Sequence, residues 1–182
     1  MASDTPEKKP APKRRRTPSY VKNLRGVRNW KEAREWLQWR SIEDVEAMTP
    51  DLAGVPRGKM MPSVKFTTET SLALPNAVFR QTITGDYPEE TDEFQHDPLD
   101  SDLKLMPDLS TLSVVPWETD PTAQVICDIV STSGKPILYT PRNLLRHVMG
   151  LYDAKGWKAV VAPEIEFYLV AQNIDPDYPL QT

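Results

Sequence analysis

The sequence predicts an α+β fold. A capped amphipathic helix at residues 29–40 runs directly into two candidate strands joined by a Pro- and Gly-rich reversal, the order of a small module with a helix packed on strands. Two further strand-like stretches follow, at 103–117 and 122–130, and then a second well-signalled helix leads into an alternating apolar and acidic segment. Eighteen prolines against seven glycines, spread along the whole length, favour short extended segments and turns over long helices.

With 182 residues, 39% of them hydrophobic and 26% charged, the chain can bury a core and suffices for one domain, or for a small domain and part of another. Cys127 is the only cysteine, which excludes an intrachain disulfide and fits a reducing, cytoplasmic setting. No apolar run has the length of a membrane span, and no hydrophobic signal segment stands at the N-terminus. The net charge of −4 hides an asymmetry: residues 1–40 carry +8 and the remainder −12, so a basic arm precedes an acidic body.

Residues 1–19 hold Lys8, Lys9, Lys13, Arg14, Arg15 and Arg16 among four prolines. So few apolar groups cannot offset the entropy of ordering, and the segment is expected to be a disordered tail. A solvated extension is preferred to a nucleic-acid or polyphosphate contact, and no aromatic is interleaved to stack on bases. Asn29 can cap the first helix, with Glu32 at the capping-box position. Trp30, Ala33 and Leu37 share a face that Trp36 broadens. Ser41 to Thr49 reads as a strand with Val45 and Ala47 on one side, residues 50–59 as a reversal, and Met60 to Phe66 as the returning strand.

Residues 67–102 are expected to be loop-rich. Asp86, Glu89, Glu90, Asp92, Glu93, Asp97, Asp100 and Asp102 fall there with no Lys or Arg between them. Such a run either collects cations or an amine, or is a mobile solvated loop. His96 has no second His or Cys at ligand spacing and is not read as a zinc ligand. Cys127, within the strand Thr122 to Val130, is read as a small apolar filler. Thr140 and Pro141 open the second helix, Leu144, Leu145, Val148, Met149 and Tyr152 form its apolar stripe, and Gly156 suits a left-handed residue past its end. His147 is read as an exposed helix residue, not a catalytic base.

The stretch from Lys158 to Val170 reads as a strand. Val161, Ile165, Phe167 and Leu169 take one face, and Glu164 and Glu166 the other. Two carboxylates about 7 Å apart along a strand can hold hard divalent cations, and these in turn hold phosphate oxygens. The same alternation also describes the wet face of an antiparallel strand. Past Val170 the chain enters a polar loop, so a larger domain is expected to continue beyond Thr182.

Three segments in this order resemble the N-terminal part of the glutamine synthetase family: Asp51 to Lys59; Leu105 to Thr111 with its continuations at Val114 to Trp117 and Ala123 to Asp128; and Ala162 to Val170. The resemblance covers roughly residues 29–182. It implies a β-grasp-like N-terminal domain at 20–132, preceded by the tail 1–19, and the beginning of the family's catalytic α/β domain at 133–182. It also implies ATP-dependent ligation, in which glutamate is phosphorylated on its γ-carboxylate and an amine displaces the phosphate. By position, Glu164 resembles the ligand of the Mg²⁺ or Mn²⁺ that accompanies the nucleotide, and Glu166 a ligand of the metal near glutamate and the amine. A homo-oligomeric ring, typically a dodecamer, is implied for the complete protein.

The sequence departs from the family pattern in two ways: the family's remaining metal carboxylates, its metal histidine and its phosphate-binding arginines are expected beyond Thr182, and one position bears on the nucleophile. The resemblance implies that ordinary bacterial glutamine synthetases carry an Asp-Gly-Ser-Ser segment after a Phe, whose Asp helps bind ammonium; in the comparable stretch, Phe79 to Asp86, Arg80 stands about where that Asp would be. A cation there would repel ammonium. Arg57-Gly58-Lys59 also resembles the branch that makes γ-glutamyl-polyamines and γ-glutamylamides. An organic amine is therefore expected as nucleophile. Ordinary glutamine synthesis from ammonia and a non-catalytic interaction fragment are the alternatives.

Overall fold

The computed structural model describes residues 18–87 and 102–172. They belong to two compact units divided between His147 and Val148. Among the described residues six strands lie in the first unit: β1 (Asp44–Pro50), β2 (Pro56–Pro62), β3 (Leu72–Pro75), β4 (Asp102–Pro107), β5 (Ser113–Val114) and β6 (Thr122–Val130). They form one mixed sheet in the order β2-β1-β6-β4-β3, with β5 paired to β6. Among the described strands only β1 and β6 pair in parallel. Alternation sets the buried face: Val45 and Ala47 of β1, Leu103 and Leu105 of β4, and Ala123, Val125, Cys127 and Ile129 of β6 point into one core.

Helix α1 (Trp30–Trp39) covers that core with Ala33, Trp36 and Leu37. Its start matches the expectation, since the Asn29 side chain accepts from the Glu32 amide at 3.0 Å. The Glu32 carboxylate accepts from the Arg28 amide at 2.9 Å, one residue before the cap. At the other end Arg40 lies over the Trp36 ring, 4.1 Å from its centroid, and donates to the Val21 and Asn23 carbonyls.

Three expectations need correction. The strand at Ser41–Thr49 begins later, at Asp44, because Ser41 takes a left-handed φ of +54° as the chain leaves the helix. The strand expected at Met60–Phe66 is β2 followed by a helix, α2 (Ser63–Glu69). Pairing with β1 runs out at Asp44 opposite Pro62, the Ser63 hydroxyl then bonds to the Ile42 carbonyl, and the helical turn buries Phe66 against Trp30, with ring centroids 5.1 Å apart. The region expected as loop contains β3 and a 3-10 helix, Asn76–Arg80, because Leu72, Leu74 and Phe79 reach the core. Of the acidic run, Glu89, Glu90, Asp92, Glu93, Asp97 and Asp100 lie outside the described residues, as do His96 and the basic tail through residue 17.

Helix α3 (Pro141–Asp153) forms where expected, but Leu144, Leu145, Val148, Leu151 and Tyr152 are exposed. In the second unit the turn after α3 closes as foreseen: Gly156 has φ +70°, and the Trp157 amide bonds to the Tyr152 carbonyl at 3.0 Å. Among the described residues no helix is long and apolar enough to cross a membrane.

Candidate functional site

Glu164 and Glu166 lie in residues 157–172, which carry neither helix nor strand. The strand expected at Lys158–Val170 is therefore not formed. A strand exists by pairing, and the residues meant for its buried face have no cover: Val161, Ile165, Phe167 and Leu169 are 75–85% exposed. Both glutamates are exposed as well. Among the described residues no group of three or more His, Cys, Asp or Glu side chains could hold a metal ion. The donor chemistry of the pair nevertheless suits Mg²⁺, which binds through one or two carboxylates with waters and phosphate oxygens completing the octahedron.

The hairpin between β1 and β2 is built around a carboxylate. Asp51 is 1% exposed, and its Oδ1 accepts from the Ala53 and Val55 amides at 2.9 and 2.8 Å. Its Oδ2 accepts from Arg57 Nε at 2.9 Å, and Arg57 Nη2 reaches on to the Thr82 carbonyl at 3.1 Å. Burial alone would raise the Asp51 carboxyl; the Arg57 contact and the two amides outweigh it and hold the group below its usual range. Arg57 thus ties the hairpin to the 82–86 turn, where the Thr84 hydroxyl donates to Asp86 at 2.8 Å. Arg80 ends the neighbouring 3-10 helix and is half-buried.

A second cluster was not foreseen. Arg142, in the first turn of α3, donates through Nε to Asp128 on β6 and through Nη2 to Asp108 after β4, each at 2.8 Å. Arg146, one turn on, reaches Asp128 at 2.9 Å and Asp108 at 3.4 Å. Burial would raise the Asp108 carboxyl, yet the Ser110 hydroxyl, the Ser110 amide and Arg142 pull it below the ordinary value. Two arginines facing two aspartates neutralise each other, so the cluster fastens the start of α3 to the sheet and leaves no cation for a substrate phosphate. Its sequence signal was Arg142 and Arg146 at helical i, i+4 spacing. Their partners are 14 or more residues away along the chain, a separation no local pattern bridges. A cavity of about 260 Å³ opens beside this cluster, with Met48, Thr49, Pro56, Ile126 and Arg142 in its wall.

Known proteins share part of this sequence. A glutamate–isopropylamine ligase from a Pseudomonas species is 33% identical over 146 residues, which cover 79% of this chain and 32% of the relative. A glutamine synthetase from Methanococcus maripaludis is 44% identical over 78 residues, 40% of this chain and 17% of the relative. The Plasmodium falciparum glutamine synthetase structure superposes with a TM-score of 0.54 over 72% of this chain and 24% of its own, at 18% identity, a likeness of fold alone. No family model matches the chain. The chain belongs to the glutamine synthetase family, with a γ-glutamylamide-forming ligase among its relatives. It spans about a third or less of the length of the curated relatives it matches.

Proposed function

We propose that this chain is the N-terminal part of an ATP-dependent glutamate–amine ligase, with a β-grasp-like domain at 20–132 and the opening of the catalytic domain at 133–182. The observation that carries this proposal is the 33% identity to the glutamate–isopropylamine ligase across 79% of the chain. In the first step an oxygen of the glutamate γ-carboxylate attacks the terminal phosphorus of ATP. The bond to the bridging oxygen breaks and ADP leaves. In the second step the lone pair of an amine nitrogen attacks the γ-carbonyl carbon, phosphate departs with the C–O bond, and the nitrogen gives up a proton as the amide forms. Glu164 and Glu166 would hold Mg²⁺ or Mn²⁺, which when bound neutralises phosphoryl charge and orients the nucleophile.

An organic amine is the preferred nucleophile. Arg80 occupies the stretch where the resemblance expects an ammonium-binding carboxylate, and a cation there disfavours ammonium. The complete protein is proposed to work in the cytoplasm as a homo-oligomeric ring.

The test is phosphate release by the complete protein with glutamate, ATP, Mg²⁺ and separate additions of ammonia, isopropylamine and a polyamine. Turnover with an organic amine is expected; turnover with ammonia alone assigns ordinary glutamine synthesis instead. Glu164→Gln and Glu166→Gln should each lower kcat by about 100-fold or more. Wild-type rates in both variants remove the metal role, and no phosphate release with any amine favours the non-catalytic interaction fragment.

A further inference from the structure

We propose that the entry to α1 forms a phosphate-binding pocket, independent of the ligase site, for a small phosphate monoester. A cavity of about 320 Å³ lies there, lined by Ser19, Tyr20, Asn23, Arg25, Arg28 and Ser110 among others. Its volume exceeds a bare phosphate and sits at the low end of small-molecule sites.

The arginines single this cavity out. Arg34, Arg40, Arg57, Arg142 and Arg146 all donate to a carbonyl or carboxylate oxygen. Among the described residues no hydrogen bond or ion pair engages the side chains of Arg25 and Arg28, and both line this cavity. Guanidinium forks match phosphate oxygens bidentately, and the Ser19 hydroxyl and Asn23 amide add neutral donors. Among the described residues Glu32 is the only carboxylate in the lining, and it accepts from the Arg28 amide at 2.9 Å.

The backbone that carries the two arginines is fixed before any ligand arrives. The Gly26 amide bonds to the Leu112 carbonyl at 2.7 Å, the Val27 amide bonds to the Leu109 carbonyl at 2.9 Å, and Arg25 bridges to Ser113. Gly26 has φ +82°, and a Cβ at that position would stand 2.6 Å from the Ser110 carbonyl oxygen, so only glycine permits the crossing. Preorganisation of this kind lowers the ordering cost of binding.

Titration calorimetry on the chain at fixed ionic strength, with inorganic phosphate as probe, should give saturable binding with Kd about 1 mM. The double variant R25Q/R28Q, which alters exposed side chains and spares the core, should weaken it by about tenfold or more. The triple variant R14Q/R15Q/R16Q should stay within about twofold of wild type. Ribose 5-phosphate should bind more tightly than phosphate by filling the cavity. Absence of saturable binding by the wild type overturns the proposal, as does loss in the triple variant with retention in the double. Equal or weaker binding of the sugar phosphate overturns the monoester assignment. None of these readouts depends on ligase activity, so failure here and failure of the ligase proposal are distinguishable.

Discussion

Removing the Asp51 carboxylate should unpin the β1–β2 hairpin. Three charge-assisted hydrogen bonds converge on that group, from the Ala53 and Val55 amides and from Arg57 Nε, all within 2.9 Å. Breaking a fully buried ion pair typically costs about 3–5 kcal/mol. Here the loss is smaller, because the Arg57 side chain is 21% exposed and regains water once its partner is gone. Ala53 is exposed too, so its amide also finds water. Asp51→Ala should therefore cost about 2–3 kcal/mol at neutral pH. Asp51→Asn keeps an acceptor for the two amides but sets an NH₂ against Arg57 Nε, and should cost about 1 kcal/mol. The pH dependence has a fixed sign. The carboxyl is held below its ordinary value in the folded state, so its contribution is present above the unfolded pKa of about 3.9 and is lost as pH falls through the folded value. Urea unfolding followed by tryptophan fluorescence, at neutral pH and in steps below pH 5, measures both effects. A cost under about 0.5 kcal/mol for Asp51→Ala, or an unchanged acid limb in Asp51→Asn, refutes the assignment of Asp51 as the hairpin's anchor.

Gly58→Ala should disrupt the same hairpin from the opposite side. A Cβ at Gly58 would fall 1.9 Å from the Ala47 carbonyl oxygen and 2.8 Å from Met48 Cα, both backbone atoms that cannot swing away, so a loss of about 2–4 kcal/mol is expected in the same unfolding assay. A near-neutral substitution would show that β1 and β2 separate easily. Cys127 should resist alkylation in the native protein at pH 8, because burial pushes its thiol up to about 12. Iodoacetamide labelling followed by mass spectrometry should reach it only after denaturation, and native labelling at the rate of a free thiol would contradict its place in the core.

Much of the first unit is legible in the sequence where the signal is local. Asn29 caps α1 through the bond foreseen for it, and β6 occupies Thr122–Val130 as expected. These elements have strong periodicity and side-chain chemistry that act within a few residues. The errors cluster where a neighbour decides. Ser63 to Glu69 carries no strong helix signal, and it turns helical because β1 offers no more backbone to pair with and Phe66 finds Trp30. The glutamate pair shows the same limit from the other side. Alternation gave Val161, Ile165, Phe167 and Leu169 a common face, but a face becomes a strand only when a neighbour supplies hydrogen bonds and apolar cover.

The sequence alone determined the α+β class, the two long helices, the buried alternation of β1 and β6, and the order of motifs that marks the family. Those features follow from periodicity, capping and residue identity, which operate over a turn of helix or a few pleats. Only the tertiary structure decided that Arg57 serves Asp51, that Arg142 and Arg146 are neutralised by Asp108 and Asp128, and that the side chains of Arg25 and Arg28 beside a cavity meet no partner among the described residues. Charges act through distance, and distance between residues far apart in the chain is set by the folded backbone, which no local pattern encodes.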